Sequence, residues 1–422
     1  MKRGGLWKRM GGAEVAAARD QSYEQILAAV RTELVDHQGH LLEAAHRDPG
    51  QRVRLREVTA TVLIQLGLVQ GKLPAQYLAY RLMADIVGYG PLEELLNDAE
   101  VTEVMVNGAS EVYVERAGTL HLTDVRFTSD REVVEVISRI IGPLGKKIDL
   151  LTPFVDARLP DGSRVHAIIP PLSVRGPALT IRRFSQQHLT LHELTELGTI
   201  TSDLAKFLRE AMERRCNIIV TGGTGSGKTT TLAALLSCLT PQERIVAIED
   251  TTEIDLSGHH LISLETRAAN LEGKGEVTMR QLVRNALRMR PDRLVVGECR
   301  GGEAFDMLQA MNTGHDGSLS TLHANGPADA LARLASMVMM ADSKMPHGAV
   351  IDQIRSAVDL LVHQAREGSR RVVQRVCLVV KEAGERIQLV DAYTSGSGLL
   401  YPETSDRVRI TPKLEGWWLS GG

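Results

Sequence analysis

The sequence predicts an α/β protein: a parallel sheet with helices on both faces, preceded by a smaller α+β unit and a helical N-terminal extension. Strand-sized apolar runs alternate with helical patterns after residue 202, which is the order expected for a parallel sheet. Segments between residues 100 and 184 instead carry apolar residues at roughly every second position. A chain of 422 residues is long enough for two or three such domains.

The N-terminal extension, residues 1–80, and the α+β unit, residues 81–184, differ in periodicity. In the extension, apolar residues such as Ile26 and Val30 recur at helical spacing. The α+β unit has short runs of period two, and the turn residues around Asp161 predict a hairpin.

The segment 185–201 is polar and is interpreted as a linker. The parallel-sheet domain follows over residues 202–395. Its predicted strands include CNIIVTG, RIVAIED, HLISLE, DRLVVGE and GSLSTLH, with further strands after the last helices. Residues 396–422 form a C-terminal tail that we expect to be irregular.

Composition and charge indicate which classes of molecule the protein is expected to bind. The formal charge is −3 and 4% of residues are aromatic, which gives no general attraction for nucleic acid. The four cysteines form no CxxC pair, so neither a zinc knuckle nor a disulfide scaffold is expected. The basic N-terminus leads into no apolar stretch, and no run approaches a membrane span. We therefore expect a cytoplasmic protein that binds no nucleic acid.

A phosphate-binding loop is predicted in NIIVTGGTGSGKTTTLAALL, where the G-x4-G-K-[ST] pattern stands between an apolar strand and a helix. Glycines let backbone N–H groups turn towards phosphates at the helix N-terminus. Lys228 would reach the β- and γ-phosphates of ATP, and the Thr229 hydroxyl would bind Mg²⁺. The predicted nucleotide-binding residues are Gly222, Gly223, Thr224, Gly225, Ser226, Gly227, Lys228, Thr229 and Thr230.

Two groups of carboxylates follow apolar strands. Glu298 ends DRLVVGE, but Gly297 stands where an aspartate is expected. Glu298 would therefore act through a Mg²⁺-bound water or as the base that aligns the attacking water. Glu249, Asp250 and Glu253 lie at the end of another strand, where one would be the base and the others ligands of Mg²⁺ or its water. The alternative for this second group is a helix N-cap with acidic residues in the first turn.

Positive charge is needed at the γ-phosphate as it is transferred, and arginine commonly supplies it. A structural role remains open for every candidate. The candidates are Arg164, Arg182, Arg183, Arg284, Arg288, Arg290 and Arg293.

Several long motifs resemble the ATPase superfamily of type II and type IV secretion systems. They are GGTGSGKTT, IVAIEDTTEI, VDARLPDGSRVHAIIPP and GEVTMRQLVRNALRMRPDRLVVGECRGGEAFDMLQAMNTGHDGSLSTLHAN. Within the superfamily, the sequence most resembles motor ATPases of Tad/Flp (type IVc) pilus assembly. The resemblance covers roughly residues 80–395, because YGPLEELLNDAEVTEVMVNGASEVYVERAG is similar to the N-terminal domain of that family.

The resemblance implies a RecA-like P-loop ATPase domain in a homo-hexamer at the inner face of the cytoplasmic membrane. It also implies peripheral membrane association through inner-membrane platform proteins, and work on pilin. By position, the Asp box is 249–253, the Walker B glutamate is Glu298, and the His box is 315–323. Arg164 and Arg182 match arginines that the family brings from its N-terminal domain towards the phosphates. The implied catalytic residues are Glu298, Glu249, Lys228, Arg182, Arg164 and His323.

Two departures from the superfamily bear on the assignment. The paired CxxC motif of the type II branch is absent, and Leu150-Leu151 stand where relatives usually have polar residues. One alternative is a type IV secretion or conjugation traffic ATPase, and another is a RecA-like nucleic-acid motor. A non-hydrolysing nucleotide-binding regulator is disfavoured because Glu298 and Lys228 are retained.

The segment TGHDGSLSTLHAN contains two histidines, His315 and His323. No nearby cysteine or third histidine completes a ligand set, which disfavours a metal site. We interpret SLSTLH as a strand that brings His323 near the γ-phosphate, with His315 in the turn at its far end. The alternative is a structural role.

Overall fold

The computed structural model describes residues 21–45, 48–69, 72–116, 118–183, 189–267, 269, 274–341, 344–368, 370–382, 386–400 and 411–414. The chain divides into two compact units, residues 1–184 and 185–422. No helix in the described ranges has the length and apolarity needed to cross a membrane.

The first unit begins with helices, as the periodicity predicted. They are α1 (Gln21–Ala45), α2 (Pro49–Gln65) and α3 (Lys72–Ile86). α1 is interrupted at Gln38, whose backbone is not helical, and Asp48 caps α2 by accepting the Gly50 N–H at 2.7 Å. Apolar side chains from all three helices, such as Leu34, Leu55 and Leu82, are fully buried in one core.

Strands and two further helices complete the first unit. In the described residues they are α4 (Glu93–Asn97), β1 (Val101–Asn107), β2 (Glu111–Arg116), β3 (Thr119–Leu122), α5 (Asp130–Ile141), β4 (Phe154–Arg158), β5 (Arg164–Ile168) and β6 (Ala178–Arg182). The strands form an antiparallel sheet in the order β3-β2-β1-β6-β5-β4. Val133, Ile137 and Ile141 of α5 share a core with alternate strand residues, which is the α+β arrangement predicted.

The second unit contains one large sheet. Its strands in the described residues are β7 (Ile218–Gly222), β8 (Arg244–Glu249), β9 (His260–Glu265), β10 (Arg293–Cys299), β11 (Leu319–His323), β12 (Leu360–Glu367), β13 (Arg370–Val379), β14 (Leu389–Thr394) and β15 (Gly398–Leu399). Their order is β15-β14-β13-β12-β7-β11-β10-β8-β9. Pairing is parallel from β12 to β9 and antiparallel from β12 to β15.

Helices cover both faces of this sheet. They are α6 (Leu191–Glu196), α7 (Ser202–Glu213), α8 (Lys228–Leu236), α9 (Met279–Ala286), α10 (Glu303–Asn312), α11 (Pro327–Ala341) and α12 (His347–Ala357). α6, α7 and α8 contribute to one apolar core, and α9 to α12 contribute to a second. The central strands β7, β8, β10 and β11 are buried because helices lie on both sides, and the predicted α/β class is confirmed.

Two segments are more ordered than their polar composition suggested. Within the predicted linker, Thr190 and Glu193 form a capping box at the start of α6, whose Leu191 and Leu194 are buried. Residues 185–188 of that linker lie outside the described residues. Within the predicted tail, β15 pairs with β14, and Leu414 is fully buried in the same core. A few apolar side chains are therefore enough to anchor segments that look irregular in sequence.

Candidate functional site

The phosphate-binding loop lies at the carboxyl end of the central strand β7. β7 is buried at every position and pairs in parallel with β11 on one side and β12 on the other. Helix α8 begins at Lys228, and Gly227 is its N-cap in the left-handed region, with φ of 94°. The loop 223–227 therefore leads into a helix N-terminus, where unpaired N–H groups attract anions.

The outer glycines of the motif are required by close approach of neighbouring strands. A Cβ on Gly222 would overlap the carbonyl oxygen of Gln364 and would lie 2.6 Å from Ser226 Oγ. A Cβ on Gly227 would lie 3.0 Å from Arg371 Cδ and from Gln364 Nε2. The loop is thus packed against β12 and β13 at both ends.

Side chains of β12 and β13 also hold carbonyl oxygens of the loop. Gln364 is 1% exposed, donates from Nε2 to Ser226 O at 2.6 Å, and accepts from Thr231 Oγ1 at 2.6 Å. Arg371 Nε donates to Gly225 O at 3.2 Å. These bonds fix the loop against the hairpin and so support a conformation in which backbone N–H groups can bind a phosphate.

Lys228 and His323 are neighbours at this edge of the sheet. Lys228 Nζ donates to Gly223 O at 3.0 Å and lies 3.3 Å from His323 Nε2. His323 ends β11 in register with Gly222. Burial and the ammonium of Lys228 lower the pKa of His323, with Glu298 acting in the opposite direction, so the ring is neutral at pH 7. Burial also lowers the pKa of Lys228, against the effect of Glu298.

His315 lies at the other end of β11. Its carbonyl oxygen accepts from Ser318 Oγ at 2.7 Å, and its N–H bonds to Ala310 O at 3.2 Å. The strand between them separates His315 from His323, as the sequence predicted. His315 and His323 are therefore too far apart along β11 to bind one group together.

Glu298 of β10 faces both His323 and Arg300. Its Oε2 accepts from Arg300 Nε at 2.9 Å and from the same guanidinium at 2.5 Å. Its Oε1 lies 2.8 Å from His323 Nε2. This second contact is not a hydrogen bond, and the buried Oε1 has no hydrogen-bond partner among the described residues. A buried carboxylate oxygen in this condition is suited to a metal-bound water.

Glu249 occupies the space beside Gly297. Glu249 is 4% exposed, and its carboxylate accepts the N–H groups of Glu253 at 3.0 Å and Ile254 at 3.2 Å. A Cβ on Gly297 would lie 2.8 Å from Glu249 Cγ. Gly297 replaces the expected aspartate because the side chain of Glu249 needs that volume.

The second acidic group follows β8 without forming a helix cap. Residues 250–259 form a loop that leads to β9, so the N-cap alternative is wrong. Asp250 accepts from Arg300 at 3.1 Å and from Thr266 Oγ1 at 3.2 Å. Arg300 therefore bridges Asp250 and Glu298, which are the acids of two different strands.

Magnesium would have to be held largely by the nucleotide. No three side chains of histidine, cysteine, aspartate or glutamate among the described residues converge to hold a metal. Mg²⁺ bound with a nucleotide needs few protein ligands, because phosphates and water supply the rest. Thr229 in the first turn of α8 and the buried Oε1 of Glu298 provide the oxygen chemistry that fits this ion.

Most arginines that precede Glu298 in the second unit have structural partners. Arg284 on α9 and Arg280 both bind Asp306, at 2.8 and 2.6 Å. Arg288 and Arg290 lie beyond the end of α9. These positions give no direct support for a role at the phosphates.

Arg293 is an arginine of the core. It is 1% exposed, and its Nε donates to Glu243 at 2.6 Å while its guanidinium donates to Met212 O at 2.9 Å. A Cβ on Gly317 would overlap this guanidinium. Gly317 also has φ of 80°, so both space and conformation require glycine there.

Arginines of the first unit form a row across its sheet. Arg164 of β5 lies opposite Arg182 of β6 and opposite Arg158 of β4. Arg183 instead donates to the carbonyl oxygens of Asp98 and Val101. Arg182 in turn lies opposite Glu103 of β1, so a carboxylate continues this row of guanidinium groups. Arg158 was not among the arginines predicted from the sequence, although it lies three residues before Asp161 of the hairpin and Arg164 lies three residues after it.

The sequence also did not predict three residues that contact the loop or its acidic neighbours, namely Gln364, Arg371 and Arg300. Gln364 had one signal in the sequence, since it and His363 are the polar residues that follow the apolar run LLV. Contacts of Arg371 depend on the order of strands in the sheet, which the sequence does not show.

Comparison with known proteins identifies the family. Residues 85–407 match the family described as type II/IV secretion system protein. The chain belongs to the type II/IV secretion ATPase family. This confirms the superfamily predicted from the motifs, while the particular closeness to Tad/Flp motors stays a prediction.

Relatives of this secretion ATPase cover most of its length. A putative conjugal transfer protein of Mycobacterium tuberculosis is 37% identical over 326 residues, which cover 75% of this chain and 92% of that protein. VirB11 of Agrobacterium fabrum is 30% identical over 328 residues, covering 70% and 94%. The X-ray structure of the Yersinia pseudotuberculosis ATPase DotB has a TM-score of 0.50 at 18% identity, and the match covers 68% of this chain and 77% of that one. This structural similarity concerns the fold alone.

Proposed function

We propose that this secretion ATPase hydrolyses Mg²⁺-ATP as a hexameric motor of Tad/Flp-type pilus assembly. The observation that carries the proposed activity is the cluster at the carboxyl ends of β7, β10 and β11. There, Lys228 and Glu298 both lie within 3.3 Å of His323, next to the phosphate-binding loop. Such a cluster suits hydrolysis of the γ-phosphate by in-line attack of water.

In the proposed mechanism, the loop N–H groups and Lys228 bind the β- and γ-phosphates. The Thr229 hydroxyl would hold Mg²⁺, which would offset negative charge on the phosphate oxygens. Glu298 orients the attacking water and accepts its proton. His323 contacts both Lys228 and Glu298, so we assign it the role of sensing the γ-phosphate.

The general base is assigned to Glu298 rather than Glu249. The carboxylate of Glu249 already accepts two backbone N–H groups, whereas Oε1 of Glu298 has no hydrogen-bond partner among the described residues and is available to a water. The proposed role of Glu249 is therefore to position the Asp-box loop and Gly297. Arg164 and Arg182 are proposed to offset charge on the phosphates, because they match arginines that the resembling motor ATPases bring from their N-terminal domain towards the phosphates.

Replacement of Lys228 by alanine should abolish release of phosphate from ATP, because the loop loses its charge for the γ-phosphate. A matched control is Lys206→Ala, which removes an exposed lysine of α7. Glu298→Gln should bind ATP but lower kcat by about 10²–10⁴-fold, the usual contribution of a general base. Wild-type turnover in Lys228→Ala would refute the site, and a larger loss in Glu249→Gln would move the base to Glu249.

The proposed assembly is a homo-hexamer that works in the cytoplasm on inner-membrane platform proteins. The motifs that resemble pilus motors support this part of the proposal. Light scattering of the purified protein with ATP should give six copies, and a monomer under all nucleotide conditions would contradict it.

A type IV secretion or conjugation traffic ATPase is the second candidate. The identity with a putative conjugal transfer protein and with VirB11 favours it. A strain that carries Lys228→Ala should lose pili if the first candidate is right. Normal pili with loss of conjugative or protein transfer would support the second.

A further inference from the structure

The hairpin formed by β12 and β13 contacts the phosphate-binding loop with charged and polar side chains that the proposed mechanism does not use. Gln364 on β12 and Arg371 on β13 donate to the consecutive carbonyl oxygens of Ser226 and Gly225. Gly227, the N-cap of α8, lies against both of these side chains. The hairpin is therefore one wall of the loop.

The order of strands places this wall opposite the catalytic glutamate. β7 has β12 and then β13 on one side, and β11 and then β10 on the other. Glu298 and His323 are on β10 and β11, so they mark the γ-phosphate side of the loop. Arg371 lies across β7 from them, beside the part of the loop that remains for the other phosphates.

The chemistry of the arginine fits an anion in that position. A guanidinium has five N–H donors in a planar fork, and one of them serves Gly225 O. Arg371 can therefore hold the loop and bind a phosphate oxygen at the same time. It is exposed, so a nucleotide can reach it from solvent.

We infer that Arg371 contacts the α,β-diphosphate of the nucleotide, which ADP and ATP share, from the hairpin side of the loop. This inference rests on the proposed function, since it requires that the loop binds a nucleotide. It gives the β12–β13 hairpin a direct part in nucleotide affinity and none in the cleavage of the γ-phosphate.

Calorimetric binding of ADP and of the non-hydrolysable analogue AMP-PNP to the full chain tests this contact. Arg371→Ala should raise the Kd of both nucleotides by the same factor, about tenfold, as expected for a partly exposed charged hydrogen bond. Arg371→Lys should recover part of this loss because it keeps the charge.

Arg370→Ala is the matched control. Arg370 is exposed on the same hairpin, but neighbouring residues of a strand point to opposite faces, so it is directed away from the loop. It should bind both nucleotides as the wild type does. If Arg371→Ala does not fold, Arg371→Gln takes its place in the same comparison.

Three results would overturn the inference. The first is a Kd for Arg371→Ala equal to that of Arg370→Ala, and the second is a loss of affinity for only one of the two nucleotides. The third is no recovery of affinity with Arg371→Lys, which would leave Arg371 only the role of holding Gly225. A wild-type chain that binds neither ADP nor AMP-PNP would instead refute the proposed function and the inference with it.

Discussion

The side chain of Glu249 restricts which residue can occupy position 297 on the adjacent strand. A glycine before the Walker B glutamate is unexpected in sequence, but in the fold the side chain of Glu249 lies 2.8 Å from the position of a Cβ at residue 297. The buried carboxylate of Glu249 binds N–H groups of the Asp-box loop and cannot move without releasing them. The departure at Gly297 is therefore a packing requirement that comes from the adjacent strand.

Gly297→Ala should lower ATP turnover by about 10–100-fold, because the added methyl group displaces Glu249 and the neighbouring Glu298 by a fraction of an ångström. Gly297→Asp, which restores the common pattern, should be at least as harmful. Steady-state phosphate release measures both. Gly326→Ala is the control, since a Cβ there meets no atom within 4 Å; equal activity of the Gly297 and Gly326 variants would contradict the packing argument.

At the scale of elements, alternating strands and helices were predictable because apolar runs and helical periods carry that information locally. The prediction failed for contacts between strands that are distant in sequence. β7 has β11 and β12 as neighbours, so Gln364 and Arg371 reach the phosphate-binding loop from more than 130 residues further along the chain. The loop itself was predictable because its motif is contiguous, whereas its supporting side chains depend on strand order.

Gln364→Ala should destabilise the second unit by about 2 kcal/mol, because it leaves Ser226 O and Thr231 Oγ1 without their buried partner. The ATP affinity should fall with it, since the loop loses its support. Urea denaturation and calorimetry measure the two effects. Gln374→Ala is the control, because Gln374 makes an exposed bond to Glu367; a similar loss of stability in both variants would remove the special role of Gln364.

At the scale of the whole second unit, the far end of the chain is joined to the amino ends of its strands. Lys413 binds Asp359 at 2.8 Å and Asp316 at 2.7 Å, and Lys381 binds Asp359 from the other side at 3.0 Å. Burial favours the neutral acid, but the two ammonium groups and the Asn217 N–H outweigh it and hold the pKa of Asp359 below its usual range. These contacts could not be predicted because the polar tail has no periodicity in sequence.

Lys413→Ala should lower the free energy of unfolding by about 2 kcal/mol near pH 7, because buried Asp359 keeps only one of its ammonium partners. Since the folded-state pKa of Asp359 is depressed, its stabilising contribution is present above its unfolded pKa and is lost as the pH falls through the folded value. The difference between wild type and variant should therefore be constant above about pH 5 and shrink below about pH 4. Urea denaturation at several pH values measures it; a difference that grows on acidification would contradict the assignment.

The buried guanidinium of Arg293 has a consequence for how this fold can change over generations. Its atoms fill the space that any side chain at residue 317 would need, and its hydrogen bonds serve groups from other parts of the core. Neither position accepts a new residue alone without cost, because a side chain at 317 meets the guanidinium and a shorter residue at 293 removes the hydrogen bonds to Met212 O and Glu243. Substitutions in the turn that carries His315 and in the core beneath it are therefore coupled, and we expect them to be tolerated as compensating pairs.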